Sequence, residues 1–375
     1  MKILYIFRSL AVWGGIERVL IEKMNCLSSV YGYDVYMITS DQGNHSIPYH
    51  LEDKVHFEDL NIRFHQKYQY NIIRRVWVTK RLKHIYEQRL ADRMRQIQPS
   101  IIVCTTADHI DSLVKLKGSI PLVVESHSIC LRTIEDGKCW LQRKWYRYFY
   151  LRALSKADVV VALTEGDANE WRKVHPSVVV IPNIVHLNYG AVSTLKNKQV
   201  IWVGRFVDQK LPLEMIRNWE KIQPQFPDWQ LDMYGEGDQF QILKDKIHSL
   251  DVNIKIHQPT DYIFERYRES SVLVSTSLFE PFGLVIPEAM SCGLPVVAFD
   301  CPYGPADIIT DGVDGFLIRN RCAESYISRV LQLIANKDLR YKMGQAGIKS
   351  SQRYTADRIM PKWEKLFNEL VSKYE

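Results

Sequence analysis

Short runs of branched apolar residues punctuate the chain, set between longer stretches in which apolar positions recur every three or four residues. The short runs, bounded by turn residues, read as buried strands and the longer stretches as amphipathic helices. Strands are expected near Ile3, Val35, Val55, Ile101, Leu122, Val159 and Val178, and again near Val200, Leu231, Ile254, Val272, Val296 and Phe316. Such alternation predicts parallel sheets with helices on both faces. Two such sets predict an α/β chain of two Rossmann-like domains facing each other across a cleft. The break falls between Asn183 and Asn197, giving an N-terminal domain over 1–183 and a C-terminal domain over 184–352. Beyond it, Trp363, Leu366, Phe367 and Leu370 share one helical face, so 353–375 reads as a terminal helix that either domain could receive. A length of 375 residues, 46% of them hydrophobic and 25% charged, suits two globular domains.

The richest segment runs from Ser275 to Ile318. Val272 to Ser275 delivers the chain to a loop at Phe279 to Phe282, where Pro281 resists helical continuation. A helix is expected to begin near Gly283, with Pro287 tolerated in its first turn and Gly293 and Pro295 ending it. Glu280 then lies ahead of the positive helix end and Glu288 about one turn inside it, so one carboxylate can hold a hexose and the other a ribose. Such a helix start presents N–H groups to phosphate. Upstream, the strand at Ile201 leads into Gly204, Arg205 and, after a short loop, Lys210. A departing diphosphate gains negative charge, and fixed cations there stabilise the transition state more than the ground state.

The first strand ends at Phe7-Arg8, and Gly14-Gly15 follows before the first helix, where glycines permit close approach of backbone to phosphate or sugar. The spacing is not the six-residue dinucleotide fingerprint, which disfavours an NAD enzyme. Pro121 to Ser128 is a buried-strand pattern that brings His127 to a strand C-terminus, where open α/β sheets bind ligands.

These segments resemble the retaining glycosyltransferases of family 4, which have the two-Rossmann-domain GT-B fold. Glu280 and Glu288, with seven residues between them, match the family's donor-site motif, and Asp300 to Ile318 resembles the bacterial branch that builds capsule, O-antigen and other surface polysaccharides. The resemblance implies a transferase moving a hexose or N-acetylhexosamine from a nucleoside diphosphate sugar to a glycan or polyisoprenyl-diphosphate-linked acceptor with retention. It implies Arg205 and Lys210 on the diphosphate, Glu280 on sugar hydroxyls, Glu288 on the ribose and His127 on the donor sugar. Gly14, Gly15, Gly204, Phe282, Gly283 and Leu284 complete the nucleotide-sugar site. It also implies that the last helix crosses back onto the N-terminal domain. No cofactor and no metal is expected, and no Asp-x-Asp is present. UDP is the first choice of nucleotide and GDP the second. The chain departs from many relatives at His257-Gln-Pro-Thr260, where they carry a glycine-containing loop near the base; the sugar stays open among N-acetylhexosamine, galactose and glucose.

Charge bears on the acceptor. Residues 1–185 carry 26 Lys and Arg against 19 Asp and Glu, whereas the remainder carries 23 against 24. Within the first half, residues 61–100 interleave cations with Phe64, Tyr68, Tyr70, Trp77 and Tyr86, and Lys138 to Arg152 adds Trp140, Trp145, Tyr146, Tyr148, Phe149 and Tyr150. That mixture suits an anionic bilayer surface. With no nucleic-acid module recognisable, nucleic acid ranks below membrane. Seven scattered cysteines fit neither a zinc site nor a disulfide framework, and no signal-peptide or membrane-spanning run is visible, so a cytoplasmic protein, peripheral on the inner face of the cell membrane, is expected. The rival readings are a sugar-nucleotide epimerase or phosphorylase on the same fold, or a catalytically silent polysaccharide-binding subunit.

Overall fold

Strands that are apolar on both faces are stable only at the centre of a sheet covered on both sides. In the computed structural model, which describes residues 1–135 and 140–374, Ile101–Thr105, Leu122–Glu125, Val159–Ala162, Val272–Ser275 and Val296–Phe299 are strands buried or nearly so at every position. Thirteen strands form in all among the described residues, one at each expected place.

The chain divides into two compact units. Unit 1 comprises Met1–Leu163, Asp167–Ile184 and Ile359–Glu375; unit 2 comprises Thr164–Gly166 and Val185–Arg358. Unit 1 holds β1 (Lys2–Phe7), β2 (Asp34–Thr39), β3 (Val55–Asp59), β4 (Ile101–Thr105), β5 (Leu122–Glu125), β6 (Val159–Ala162) and β7 (Val178–Val180). Unit 2 holds β8 (Gln199–Val203), β9 (Gln230–Tyr234), β10 (Ile254–His257), β11 (Val272–Ser275), β12 (Val296–Phe299) and β13 (Gly315–Ile318). Both sheets are wholly parallel, ordered β3-β2-β1-β4-β5-β6-β7 and β10-β9-β8-β11-β12-β13. In each, the chain winds outward from the middle and then returns to wind the other way. The direction therefore reverses between β1 and β4 in unit 1 and between β8 and β11 in unit 2, and the loops leaving the C-terminal ends of those strands part to form a crevice.

Unit 1 packs Leu4, Leu90, Val124 and Trp171 into its core, and unit 2 packs Trp202, Met215, Trp219 and Leu333. The last helix, Ala356–Val371, buries Trp363, Leu366, Phe367 and Leu370. From Ile359 onward it belongs to unit 1, where Lys23 lies over the Trp363 ring at 4.0 Å.

The helix expected to begin near Gly283 and Leu284 is Val285–Ser291, with Leu284 as its N-cap. Gly283 has φ +97°, a left-handed turn conformation that places it ahead of the helix. The aromatics of 61–100 also do not share one fate: Phe64 and Tyr86 are core, whereas Tyr68 and Trp77 are exposed. Lys138 lies outside the described residues.

Candidate functional site

In unit 2, the reversal point gathers Arg205, Lys210 and Glu280 from the loops that follow two neighbouring strands, β8 and β11. Lys210 Nζ donates to Glu280 Oε1, and Ser277 Oγ donates to the same carboxylate at 2.7 Å. Glu280 is buried, so its charge is offset at close range rather than by solvent. Arg205 is exposed and donates to Gln209 Oε1 at 3.2 Å, while Gln209 donates to the Phe279 carbonyl at 3.1 Å. The cation-bearing loop is therefore tied to the carboxylate-bearing one.

The backbone around Glu280 is clamped. Its N–H donates to the Pro302 carbonyl at 2.7 Å, and its carbonyl accepts from Tyr303 and Gly304 at 2.8 and 2.9 Å. At Gly304 a Cβ would fall 1.7 Å from the Phe282 carbonyl oxygen, so only glycine fits there. Phe282, expected at the nucleotide-sugar site, has its ring buried edge-on to Tyr354 at 5.2 Å. Leu284 caps the short helix and is half-buried. Glu288 is buried one turn inside, where Tyr267 Oη donates to it at 3.4 Å.

Two features of this site escaped sequence reasoning. Arg321 donates to the carbonyls of Ser277 and Thr276 at 2.8 and 3.1 Å and to Glu214 at 2.5 Å, bracing the Glu280 loop from beneath. Gly235 and Gly237 let the loop after β9 close on the loop after β8. A Cβ at Gly235 would meet the Gly204 carbonyl oxygen at 1.9 Å, and one at Gly237 the Phe206 oxygen at 2.4 Å. Gly204 itself donates to the Tyr234 carbonyl at 3.1 Å. His257, singled out in the sequence, donates from Nε2 to buried Asp232 at 2.6 Å while its ring stacks on Tyr234 at 4.4 Å.

In unit 1, Gly14 is the N-cap of the helix Gly15–Ser29, with φ −115°, so its role is room rather than an unusual backbone: a Cβ would fall 2.1 Å from Glu17 Oε2. His127 follows β5 and is buried, its Nε2 donating to Glu125 Oε2 at 3.1 Å. Lys23, also buried, donates to both oxygens of Glu125. Burial alone would raise the Glu125 carboxyl, but Lys23 and His127 outweigh it and hold the group below its ordinary range. Burial in turn pulls the Lys23 ammonium below its ordinary value. The signal for this network was an acid inside the apolar run Leu122-Val-Val-Glu125.

The chemistry available is thus two cations, Arg205 and Lys210, beside a buried, paired carboxylate in unit 2, and a carboxylate-oriented imidazole in unit 1. Among the described residues, no three His, Cys, Asp or Glu side chains converge as a metal cage would require.

Residues 13–189 match the family described as Glycosyltransferase Family 4, and residues 191–350 the family described as Glycosyl transferases group 1, the two running consecutively over most of the chain. The chain belongs to the family 4-type glycosyltransferases. The amylovoran biosynthesis glycosyltransferase AmsD of Erwinia amylovora is 26% identical over 384 residues, covering 98% of this chain and 99% of AmsD. An exopolysaccharide phosphotransferase of Streptomyces coelicolor is 32% identical over 224 residues; the match covers 58% of this chain but only 24% of that longer protein. Among solved structures, a variant of S. aureus TarM in complex with Fondaparinux, alpha-GlcNAc-glycerol and UDP aligns with a TM-score of 0.79 at 17% identity, over 98% of this chain and 99% of TarM. At that identity the likeness establishes the GT-B fold. In this glycosyltransferase the matched group 1 region contains Arg205, Lys210, Glu280 and Glu288, and the matched family 4 region contains Gly14, Gly15 and His127.

Proposed function

We propose that this glycosyltransferase moves a hexose or N-acetylhexosamine, with retention, from a nucleoside diphosphate sugar to a glycan or lipid-linked glycan acceptor in surface polysaccharide synthesis. The observation that carries the reading is the Lys210–Glu280 pair at the reversal point of unit 2, with Arg205 on the same loop as Lys210. An ammonium already held in place needs no reorganisation as charge builds on the leaving oxygen, which is where fixed cations are most effective. UDP is the preferred nucleotide, in keeping with the UDP named in the TarM complex, and the amylovoran assignment of AmsD supports the polysaccharide setting.

On this reading Arg205 and Lys210 hold the diphosphate, Glu280 accepts hydrogen bonds from sugar hydroxyls and Glu288 from the ribose. His127 contributes to the donor sugar. The bond from the anomeric carbon to the diphosphate oxygen breaks, the acceptor oxygen bonds to that carbon on the same face, and the acceptor's proton passes to the departing phosphate oxygen. No resident metal takes part.

The membrane side of the proposal rests on unit 1. Ile73 and Trp77 on the helix Ile72–Ile97, and Trp145 and Tyr148 on the helix Trp140–Leu154, are exposed beside Arg74, Arg75, Arg143 and Lys144. No described helix is long and apolar enough to cross a membrane. Peripheral contact with an anionic surface, on the inner face of the cell membrane, fits both facts.

The test is a screen of nucleotide sugars against a lipid extract, with the product anomer assigned by NMR. Transfer with retention, lost in Glu280→Ala, supports the proposal. Inversion, or interconversion of the donor without an acceptor, would exclude it.

A further inference from the structure

The Lys210–Glu280 pair is assembled from two loops, and both are tied to one side chain that lies outside them. Arg321 follows β13, the edge strand of the unit 2 sheet, and its guanidinium crosses the end of β12 over the Phe299 ring at 4.4 Å. There it meets the residues that follow β11. Its Nη1 donates to the Ser277 carbonyl at 2.8 Å, and its Nη2 to the Thr276 carbonyl at 3.1 Å and to Glu214 Oε2 at 2.5 Å.

The hydroxyls of those same two residues lead to the pair. Ser277, held at its carbonyl, donates to Glu280 Oε1 at 2.7 Å. Thr276, held likewise, donates to the carbonyls of Lys210 and Leu211 at 2.9 and 3.1 Å and accepts from Trp202 Nε1 at 3.1 Å, which fixes its rotamer. Adjacent residues thus carry the position of one guanidinium to opposite members of the pair. Glu214 adds a third tie, since it lies in the first turn of the helix Pro212–Ile222, which begins two residues after Lys210. A rigid planar fork holds such a set of acceptors at fixed angles, whereas an ammonium acts as a point charge.

The backbone that delivers this fork is strained. Asn320 and Arg321 have φ +53° and +47°, the left-handed region that residues other than glycine rarely enter, and they keep it only because their surroundings impose it. Glycine at 321 would adopt the same turn freely, so the strain is the cost of carrying a side chain there.

Resting on the transferase reading, we propose that Arg321 is a positioning residue for sugar transfer, setting Lys210 and Glu280 at their working separation through Thr276 and Ser277. It acts through those residues and not on the substrate. A misplacement of about 1 Å at a reacting centre costs on the order of a hundredfold in rate.

The experiment compares the full-chain wild type with Arg321→Gly and Arg321→Lys. Calorimetry with UDP and GDP counts the sites that bind nucleotide, and transfer is expressed per binding site, so that lost folding is not read as lost catalysis. In Arg321→Gly, kcat per site should fall about tenfold or more while KM for the donor moves by less than about threefold. Arg321→Lys keeps the charge but not the fork, and should recover little of the loss. Because the native side chain is only half-buried, added ethylguanidinium should restore transfer to Arg321→Gly, and ethylammonium should not. A crystal structure of the glycine variant should show Lys210 and Glu280 parted. Wild-type kcat per site in Arg321→Gly, equal rescue by both amines, or an undisturbed Lys210–Glu280 pair in that crystal structure would each overturn the proposal. A wild-type protein that transfers no sugar would remove the transferase reading, and the crystal structure would still decide whether Arg321 sets the pair.

Discussion

Glu280 sits between Lys210 and Ser277 in a buried position, and that arrangement determines what its removal does. Glu280→Ala leaves the Lys210 ammonium without its partner as well as removing a sugar contact. Turnover should fall by about a hundredfold or more, the range seen when a preorganised polar group is lost. A radiolabelled-sugar transfer assay checks this, and a loss under tenfold would separate Glu280 from the chemistry. Asp108 makes a pH-dependent case. Its carboxyl, raised by burial, holds its proton to about pH 7 when folded but to about 3.8, the ordinary value, when unfolded. Between those values the folded chain binds the extra proton. The contribution is therefore complete below the unfolded value and is lost as pH rises through 7. Asp108→Asn cannot ionise, so its melting temperature relative to wild type should rise from pH 4.5 to pH 8 by several degrees; a pH-independent difference would contradict the assignment. At this scale legibility was uneven. Glu280 and Glu288 were visible through their spacing and proline-glycine setting, but Lys23, on the first helix, meets Glu125 at the end of β5, far away in sequence, and no local pattern announces the pair.

Among elements, the loop from Ser277 to Gly283 is held by two others, the segment Pro302 to Gly304 and the Arg321 side chain. Gly304→Ala drives a methyl group into the Phe282 carbonyl, which must move. A stability loss of roughly 1–3 kcal/mol is expected, as for other overpacked sites, with a larger fractional loss of transfer because Glu280 moves with its loop. Thermal melts and initial rates on the same sample separate the two effects. The strands themselves were legible, since runs such as Val159-Val-Val-Ala162 have no other stable place than a covered sheet. The tight approach of Gly235 to Gly204 was not, because two glycines after a strand look the same whether they form a loop or a contact between loops.

For the molecule as a whole, the proposed membrane contact rests on the exposed aromatics of unit 1. Trp77 and Trp145 are 72% and 62% exposed beside arginines and lysines. Sedimentation with vesicles containing phosphatidylserine should carry the protein down at low salt and release it as salt screens the cations. Ile73→Glu with Trp77→Glu and Trp145→Glu should abolish it, and equal sedimentation of that triple variant would end the membrane proposal. The unequal charge of the two halves made this surface visible in sequence, but which aromatics point outward depended on packing: Phe64 and Tyr86 were hidden and Trp77 was not.

The position of Trp363 over Lys23 has a consequence for synthesis. Unit 1 emerges from the ribosome first, yet the ring that shields its Lys23–Glu125 pair is translated only after all of unit 2. Until then a buried ion pair lacks its lid and an apolar groove stands open to water. The first-made half of this enzyme is thus the last to be finished, and fusions or truncations at its carboxyl end would be felt beneath His127, far away in sequence.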